Sequence, residues 1–232
     1  MPEQLFRFFN NIRIPVSILF LFALSSCSNT ETNYYENGNI RSEIPYENEE
    51  IHGEARWYYE NGKVFMSSQY IHGSLEGTSV RWYENGEKQL EETYENNMLH
   101  GPSISYYSNG TREELQHYVN DTLHGPYKKW YKNGKPIAEG SYNKGMYDGR
   151  WIYKDDMGNI VGLGEFNNGS GIQKAFYLDG SLKAIIHYED NEKHGKEVIY
   201  DVDGSVLEEI IYDFGEVIVD SDSKKQAVGS KQ

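Results

Sequence analysis

A turn dipeptide returns every 24 residues through most of this 232-residue chain. Asn37-Gly38, Asn61-Gly62, Asn85-Gly86, Asn109-Gly110 and Asn133-Gly134 are evenly spaced. Met157-Gly158, Asp179-Gly180 and Asp203-Gly204 continue at steps of 24, 22 and 24. A second glycine series, Gly53, Gly77, Gly101, Gly125, Gly149, Gly171 and Gly195, carries the same two-residue deletion in one repeat. Eight residues after each turn glycine stands an aromatic: Tyr46, Tyr70, Tyr94, Tyr118, Tyr142, Phe166, Tyr188 and Tyr212. A period of this length means one supersecondary unit stacked on copies of itself.

The unit is a hairpin. Asn-Gly between β-formers predicts a type I′ turn, which needs φ > 0 at both central residues. Glycine has no Cβ to clash there, and asparagine tolerates the left-handed region. The turn glycines are thus Gly38, Gly62, Gly86, Gly110, Gly134, Gly158, Gly180 and Gly204, with the second series expected at the turns between repeats. The intervening segments are too short for a helix plus a strand. The expected fold is all-β, a single-layer antiparallel meander of about sixteen strands, on the order of 75 Å long at ~4.8 Å per strand.

Alternation assigns the faces. Val64, Met66, Ser68 and Tyr70 point one way, and Leu182, Ala184, Ile186 and Tyr188 repeat the pattern. Adjacent aromatics before the turns, such as Tyr58-Tyr59, Trp82-Tyr83 and Trp130-Tyr131, place one ring on each face. Neither face then offers a thick apolar core, so stability is expected from ring-on-ring ladders worth roughly 0.2–1 kcal/mol per pair.

The first 27 residues read as an address. Arg7 and Arg13 precede an apolar run from Ile14 to Leu24. As a helix that run spans roughly 16 Å, about half a bilayer core, which suits a secretory signal and not a spanning helix. Leu24-Ser25-Ser26-Cys27 follows and resembles the lipobox of bacterial lipoproteins, with the one cysteine of the chain in the position that pathway acylates. The resemblance implies cleavage before Cys27 and a stable multi-chain lipid anchor in the cell envelope, at the outer membrane in a Gram-negative host. The alternative is a cleaved secretory signal with an incidental cysteine. The expected organisation is a signal peptide at 1–26, lipidated Cys27 and a short linker at 27–33, the repeat domain at 34–219 and a solvated tail at 220–232.

Charge narrows the partners. Asp and Glu number 36 against 22 Lys and Arg, a formal charge of −14. Removing Glu3, Arg7 and Arg13 with the signal takes it to −15. Nucleic acid, which needs clustered cations, is excluded as the main partner. The acidic surface either steers a cationic protein or serves solubility. An open sheet also exposes edge strands that invite dimerisation.

Leu123-His124-Gly125-Pro126-Tyr127-Lys128-Lys129-Trp130-Tyr131-Lys132-Asn133-Gly134-Lys135 resembles the variant MORN repeat, and the resemblance extends over about residues 34–215. Relatives of this kind are often labelled antitoxins of the YwqK type. For an exported chain, the resemblance implies immunity against a toxin acting in the envelope. Asp155 and Asp201 depart from the pattern by replacing the second aromatic, and Met157 by replacing asparagine.

Chemistry is sparse. No nucleophile elbow or phosphate loop is present. His52, His100, His124 and His194 precede second-series glycines; stacked about 10 Å apart, they cannot share a metal ion whose ligands sit near 2 Å from one point. Glu91, Glu92, Glu113 and Glu114 read as the solvated side of strands. No catalytic residue, metal or cofactor is expected, and the chain reads as a non-enzymatic scaffold for a protein partner. Trp82, Trp130 and Trp151 are candidate binding aromatics, which either clamp a partner or stack on their neighbours. A carbohydrate-binding surface using those rings is the alternative.

Overall fold

The computed structural model describes residues 28–220, in which there are nineteen strand segments and no helix. The first hairpin joins β1 (Ser28–Tyr34) to β2 (Ile40–Glu47), and the second joins β3 (Glu50–Ile51) and β4 (Gly53–Tyr58) to β5 (Val64–Ile71). The third and fourth pair β6 (Ser74–Trp82) with β7 (Lys88–Glu95), and β8 (Met98–Tyr106) with β9 (Arg112–Val119). The fifth joins β10 (Thr122–Leu123) and β11 (Gly125–Trp130) to β12 (Pro136–Asn143). The last three pair β13 (Met146–Lys154) with β14 (Ile160–Asn167), β15 (Ser170–Phe176) with β16 (Leu182–Glu189), and β17 (Glu192–Tyr200) with β18 (Val206–Asp213). A final strand, β19 (Glu216–Asp220), closes the array. β3 and β4 are one strand interrupted at His52, and β10 and β11 one strand interrupted at His124, so the segments make seventeen strands.

Successive strands pair antiparallel in chain order, which makes one open meander with β1 and β19 at its edges. The single-layer hairpin architecture is the one the repeats predict. Its ends differ. Ser28–Tyr34, assigned to the linker and the start of the domain, is strand β1, registered on β2 from Ser28↔Glu47 to Tyr34↔Ile40. This strand is polar on both sides (Asn29, Glu31 and Asn33 alternate with Thr30 and Thr32), so it carries no hydrophobic signature. At the other end β19 takes Asp220, the first residue assigned to the tail. The signal peptide, the lipobox Leu24, Ser25 and Ser26, Cys27 and the tail beyond Asp220 lie outside the described residues.

The two edges use different turns, and their assignment reverses the expectation. At the Asn-Gly tips only glycine has positive φ, as at Gly134 (+84°). Tyr131 N donates to Lys135 O and Gly134 N to Tyr131 O, both at 2.8 Å. This is a three-residue loop, a type I turn closed by a glycine bulge, and not type I′. Asparagine serves there through its side chain: Asn133 Oδ1 accepts from Lys135 N at 3.0 Å. Paired positive φ values occur instead at the opposite edge, at Asn48-Glu49 (50° and 69°), Asn96-Asn97 (51° and 65°), Asn120-Asp121 (48° and 61°) and Asp190-Asn191 (51° and 69°). His72-Gly73, Lys144-Gly145, Asn168-Gly169 and Phe214-Gly215 complete that series.

The second glycine series therefore does not turn the chain. Its members lie inside or at the start of the strands that follow the type I′ turns. Gly77 (φ +78°) occupies a bulge where β6 carries two more residues than β5, between Ser68↔Ser79 and Tyr70↔Leu75. The β14–β15 pair keeps register from Gly162↔Ala175 to Asn167↔Ser170. The 22-residue step falls here: the deletion removes the bulge and leaves the sheet continuous.

One face carries the small core. Ala55, Ser68, Ser79, Glu92, Ser103 and Gln116 stand opposite one another on successive strands. Trp151, Gly164, Gln173, Ile186 and Glu197 stand likewise across the C-terminal half. Trp151 is only 2% exposed, because Gly140 leaves a slot for its indole: a Cβ there would collide with the ring. Tyr127, Tyr142, Tyr147 and Tyr153 surround it with ring centroids at 4.8–6.2 Å, and Phe166 lies tilted against Tyr147 at 5.2 Å. The expected ring ladder is thus concentrated in the C-terminal half; the N-terminal hairpins show Tyr59 against Phe65 at 5.2 Å and the His52–His72 pair.

Replacing Gly134 with valine forces a branched residue to φ > 0, where nothing else crowds the Cβ. The expected cost is at least ~1–2 kcal/mol. A thermal melt identical to that of the parent would refute the turn geometry.

Candidate functional site

Each hairpin is fastened to the next by side chains that reach backbone groups about one repeat away. At the Asn-Gly edge the tyrosine opening each turn donates its hydroxyl to a carbonyl 23 residues on. The series runs Tyr35 to Tyr58 O (2.6 Å), Tyr59 to Trp82 O (2.7 Å), Tyr83 to Tyr106 O (2.8 Å) and Tyr107 to Trp130 O (2.8 Å). Tyr131 to Lys154 O (3.2 Å) and Tyr177 to Tyr200 O (2.8 Å) extend it. Asp155 and Asp201 occupy this position elsewhere and open their own turns instead. Turn side chains add a second row, with Asn85 Nδ2 on Ser108 O and Lys135 Nζ on Asp156 O.

The histidines belong to the other edge. His100 and His194 lie within strands, and His52 and His124 at strand interruptions, each just ahead of a second-series glycine and not in a turn as the spacing suggested. His52, His124 and His194 accept through Nδ1 the backbone N–H of His72, Lys144 and Phe214, each 20 residues on and each the first residue of a type I′ turn. Glu76 and Asp148 do the same for Asn96 and Asn168, while His100 meets the Asn120 side chain. An acceptor side chain 20 residues before the turn recurs in the sequence, but it is a signal only with the turns at these residues and not at the second-series glycines. The rings of His52 and His72 lie 4.8 Å apart. Among the described residues no three His, Cys, Asp or Glu side chains are placed to hold a metal ion.

The tryptophans separate. Trp151 is buried and unavailable to any partner, with its Nε1 donating to Ser141 O at 3.2 Å. Trp82 and Trp130 are half-buried beside their turns. The structure does not bring the three together as one binding face.

It does form a furrow of about 190 Å³ across β7, β8 and β9, lined by Leu90, Glu92, Ser103, Ser105, Glu114, Gln116 and Tyr118. Glu92 and Glu114 are half-buried here, not part of a fully solvated strand side. Tyrosine hydroxyls hold the polar groups: Tyr94 on Glu92 (2.9 Å), Tyr118 on Gln116 (2.6 Å) and Tyr127 on Glu114 (2.5 Å). Lys129 Nζ stands 3.9 Å from Glu114. Glu91, on the opposite side of its strand, pairs with Lys88 at 2.5 Å. The furrow is shallow and spans three strands, a shape that fits an extended segment better than an enclosed small molecule.

Burial, then the bond to Glu92, pushes the Tyr94 phenol up to about 12. Burial also raises Tyr127, Tyr142, Tyr153 and Tyr188. The folded chain keeps these phenols protonated where an unfolded one, at about 10, ionises. Their contribution is complete below about pH 10 and is lost as pH rises toward and past the folded values. Absorbance titration at alkaline pH should show one set of the 20 tyrosines ionising near the ordinary value and another only as β-structure is lost. A single common titration with the fold intact would contradict the burial.

A family model described as the MORN repeat variant matches residues 29–48, 51–72, 75–96, 99–120, 123–144 and 170–190. No curated protein matches the chain. Each matched segment holds a hairpin whose tip opens with a tyrosine; the hairpins opened by Asp155 and Asp201 fall outside the matched residues. With more than half its length so matched, the chain belongs to the MORN repeat variant family.

Proposed function

We propose that this chain is a non-enzymatic repeat scaffold, held to the bacterial envelope by lipid on Cys27, that binds a protein partner across one face of its sheet. The observation that carries the reading is the furrow over β7, β8 and β9. Its two carboxylates, fixed by tyrosine hydroxyls, suit the basic side chains of an extended segment laid across the strands. A chain whose histidines and tip tyrosines hold neighbouring repeats together has committed those groups to architecture. What remains for function is surface. By the resemblance of its repeats to those labelled antitoxins, the partner class is a toxin acting in the envelope, with the scaffold as its immunity factor.

The carbohydrate alternative loses one of its three aromatics with the burial of Trp151, and no feature of the furrow favours it.

Two experiments test the reading. Crosslinked pull-down from cells should recover one basic protein, with recovery lost at high salt and on combining Glu92→Gln with Glu114→Gln; undiminished recovery by that variant refutes the furrow. Metabolic labelling with a fatty acid should mark the parent chain and not Cys27→Ser, which should leave the membrane fraction. Retention of label by the variant would remove the anchor.

A further inference from the structure

The edge that bears the Asn-Gly tips changes its chemistry partway along the array. In the first five hairpins the two residues ahead of the turn glycine are Glu36-Asn37, Glu60-Asn61, Glu84-Asn85, Ser108-Asn109 and Lys132-Asn133, polar throughout. In the last three they are Asp156-Met157, Leu178-Asp179 and Val202-Asp203. Met157 is 74% exposed, Leu178 77% and Val202 51%. These side chains contribute little to the fold from such positions, which the other hairpins fill with polar residues. Successive hairpins set the three tips about 10 Å apart in a row. Ile160 and Val206, 44% and 54% exposed, begin the strands that leave two of them and continue the apolar strip.

We propose that this rim is a docking surface for a protein segment that combines apolar with basic side chains. Large apolar side chains exposed in a row on one rim, where the other hairpins carry polar ones, mark an interaction site. Five carboxylates at the same tips, Asp155, Asp156, Asp179, Asp201 and Asp203, set the sign of the partner's charge. Hydrogen bonds within the turns fix four of them: Asp155 accepts from Met157 N and Asn159 N, Asp179 from Ser181 N, Asp201 from Val202 N, and Asp203 from Ser205 N. One cation reaches the rim, Lys135, whose Nζ is held on the Asp156 carbonyl at 2.9 Å, while Lys154 stands 3.9 Å from Glu139 and Lys183 lies over the Tyr177 ring. The same carboxylates oppose an anionic lipid surface. The rim lies on an edge of the sheet, away from the furrow, and so adds a second contact to the scaffold.

The test uses the full-length chain carrying Cys27→Ser, so that no acyl chain interferes. The probes are short fluorescent peptides alternating Lys with Leu, their Glu-Leu counterparts and oligolysine. The Lys-Leu peptide should bind about tenfold or more tighter than either control. The triple variant Met157→Asn, Leu178→Glu and Val202→Glu, which gives these tips the polar residues of the earlier ones, should abolish that preference and melt at the parent temperature. If the triple variant melts early, Leu178→Glu alone carries the comparison. Unchanged peptide binding by these variants overturns the proposal, as does oligolysine binding equal to that of Lys-Leu. Binding to phosphatidylcholine vesicles that the triple variant abolishes also overturns it, because the rim would then insert into lipid. Crosslinked capture through Glu92 and Glu114 does not depend on these tips, so the rim and the furrow fail separately.

Discussion

The tyrosine hydroxyl that opens six of the eight turns on the Asn-Gly edge and reaches a carbonyl 23 residues away is the contact on which the array rests. An isolated two-stranded hairpin is marginal in water, and this sheet has no second layer to cover it. The phenol ties each hairpin to its successor at the strand end, where ladder hydrogen bonds run out. On the opposite edge, His, Glu or Asp side chains bind the first N–H of the next turn. With both edges fastened to their neighbours, the hairpins hold a common plane without a deep core. Stability then accumulates by nearest-neighbour contacts, as in other repeat arrays.

This division of labour explains where function can reside. Groups that look reactive in isolation, such as the histidines and the tip tyrosines, are consumed by repeat-to-repeat bonding. The faces and the tips are left free to vary. The N-terminal half uses that freedom for a polar furrow built on Glu92 and Glu114, and the C-terminal half for an aromatic cluster around Trp151. The hairpins with Asp155 and Asp201 lack the hydroxyl and also carry apolar tips, while the hairpin between them keeps the Tyr177 hydroxyl bond and bears Leu178.

The repeat, the hairpin and the single antiparallel sheet were legible because turn residues recur at fixed spacing. The turn types were not. Asn-Gly suits a type I′ turn by backbone preference, yet Asn133 is used for its side-chain oxygen, and only Gly134 needs positive φ. The true type I′ turns include Asn96-Asn97 and Asn120-Asp121, which contain no glycine, so a search for glycine found the bulges instead. Burial of Trp151 depends on Gly140, on the neighbouring strand, and no local pattern announces it. Strand β1 leaves no mark in the sequence, because an edge strand with both sides wet needs no alternation of polarity.

Native-state hydrogen exchange on Tyr107→Phe tests the coupling between hairpins most directly. The variant keeps the ring and removes only the donor to Trp130 O. The account predicts a local loss of about 0.5–1.5 kcal/mol in protection, confined to β8 through β12, with β1 to β5 exchanging as in the parent. Unchanged protection throughout, or an equal loss across the whole sheet, would contradict it.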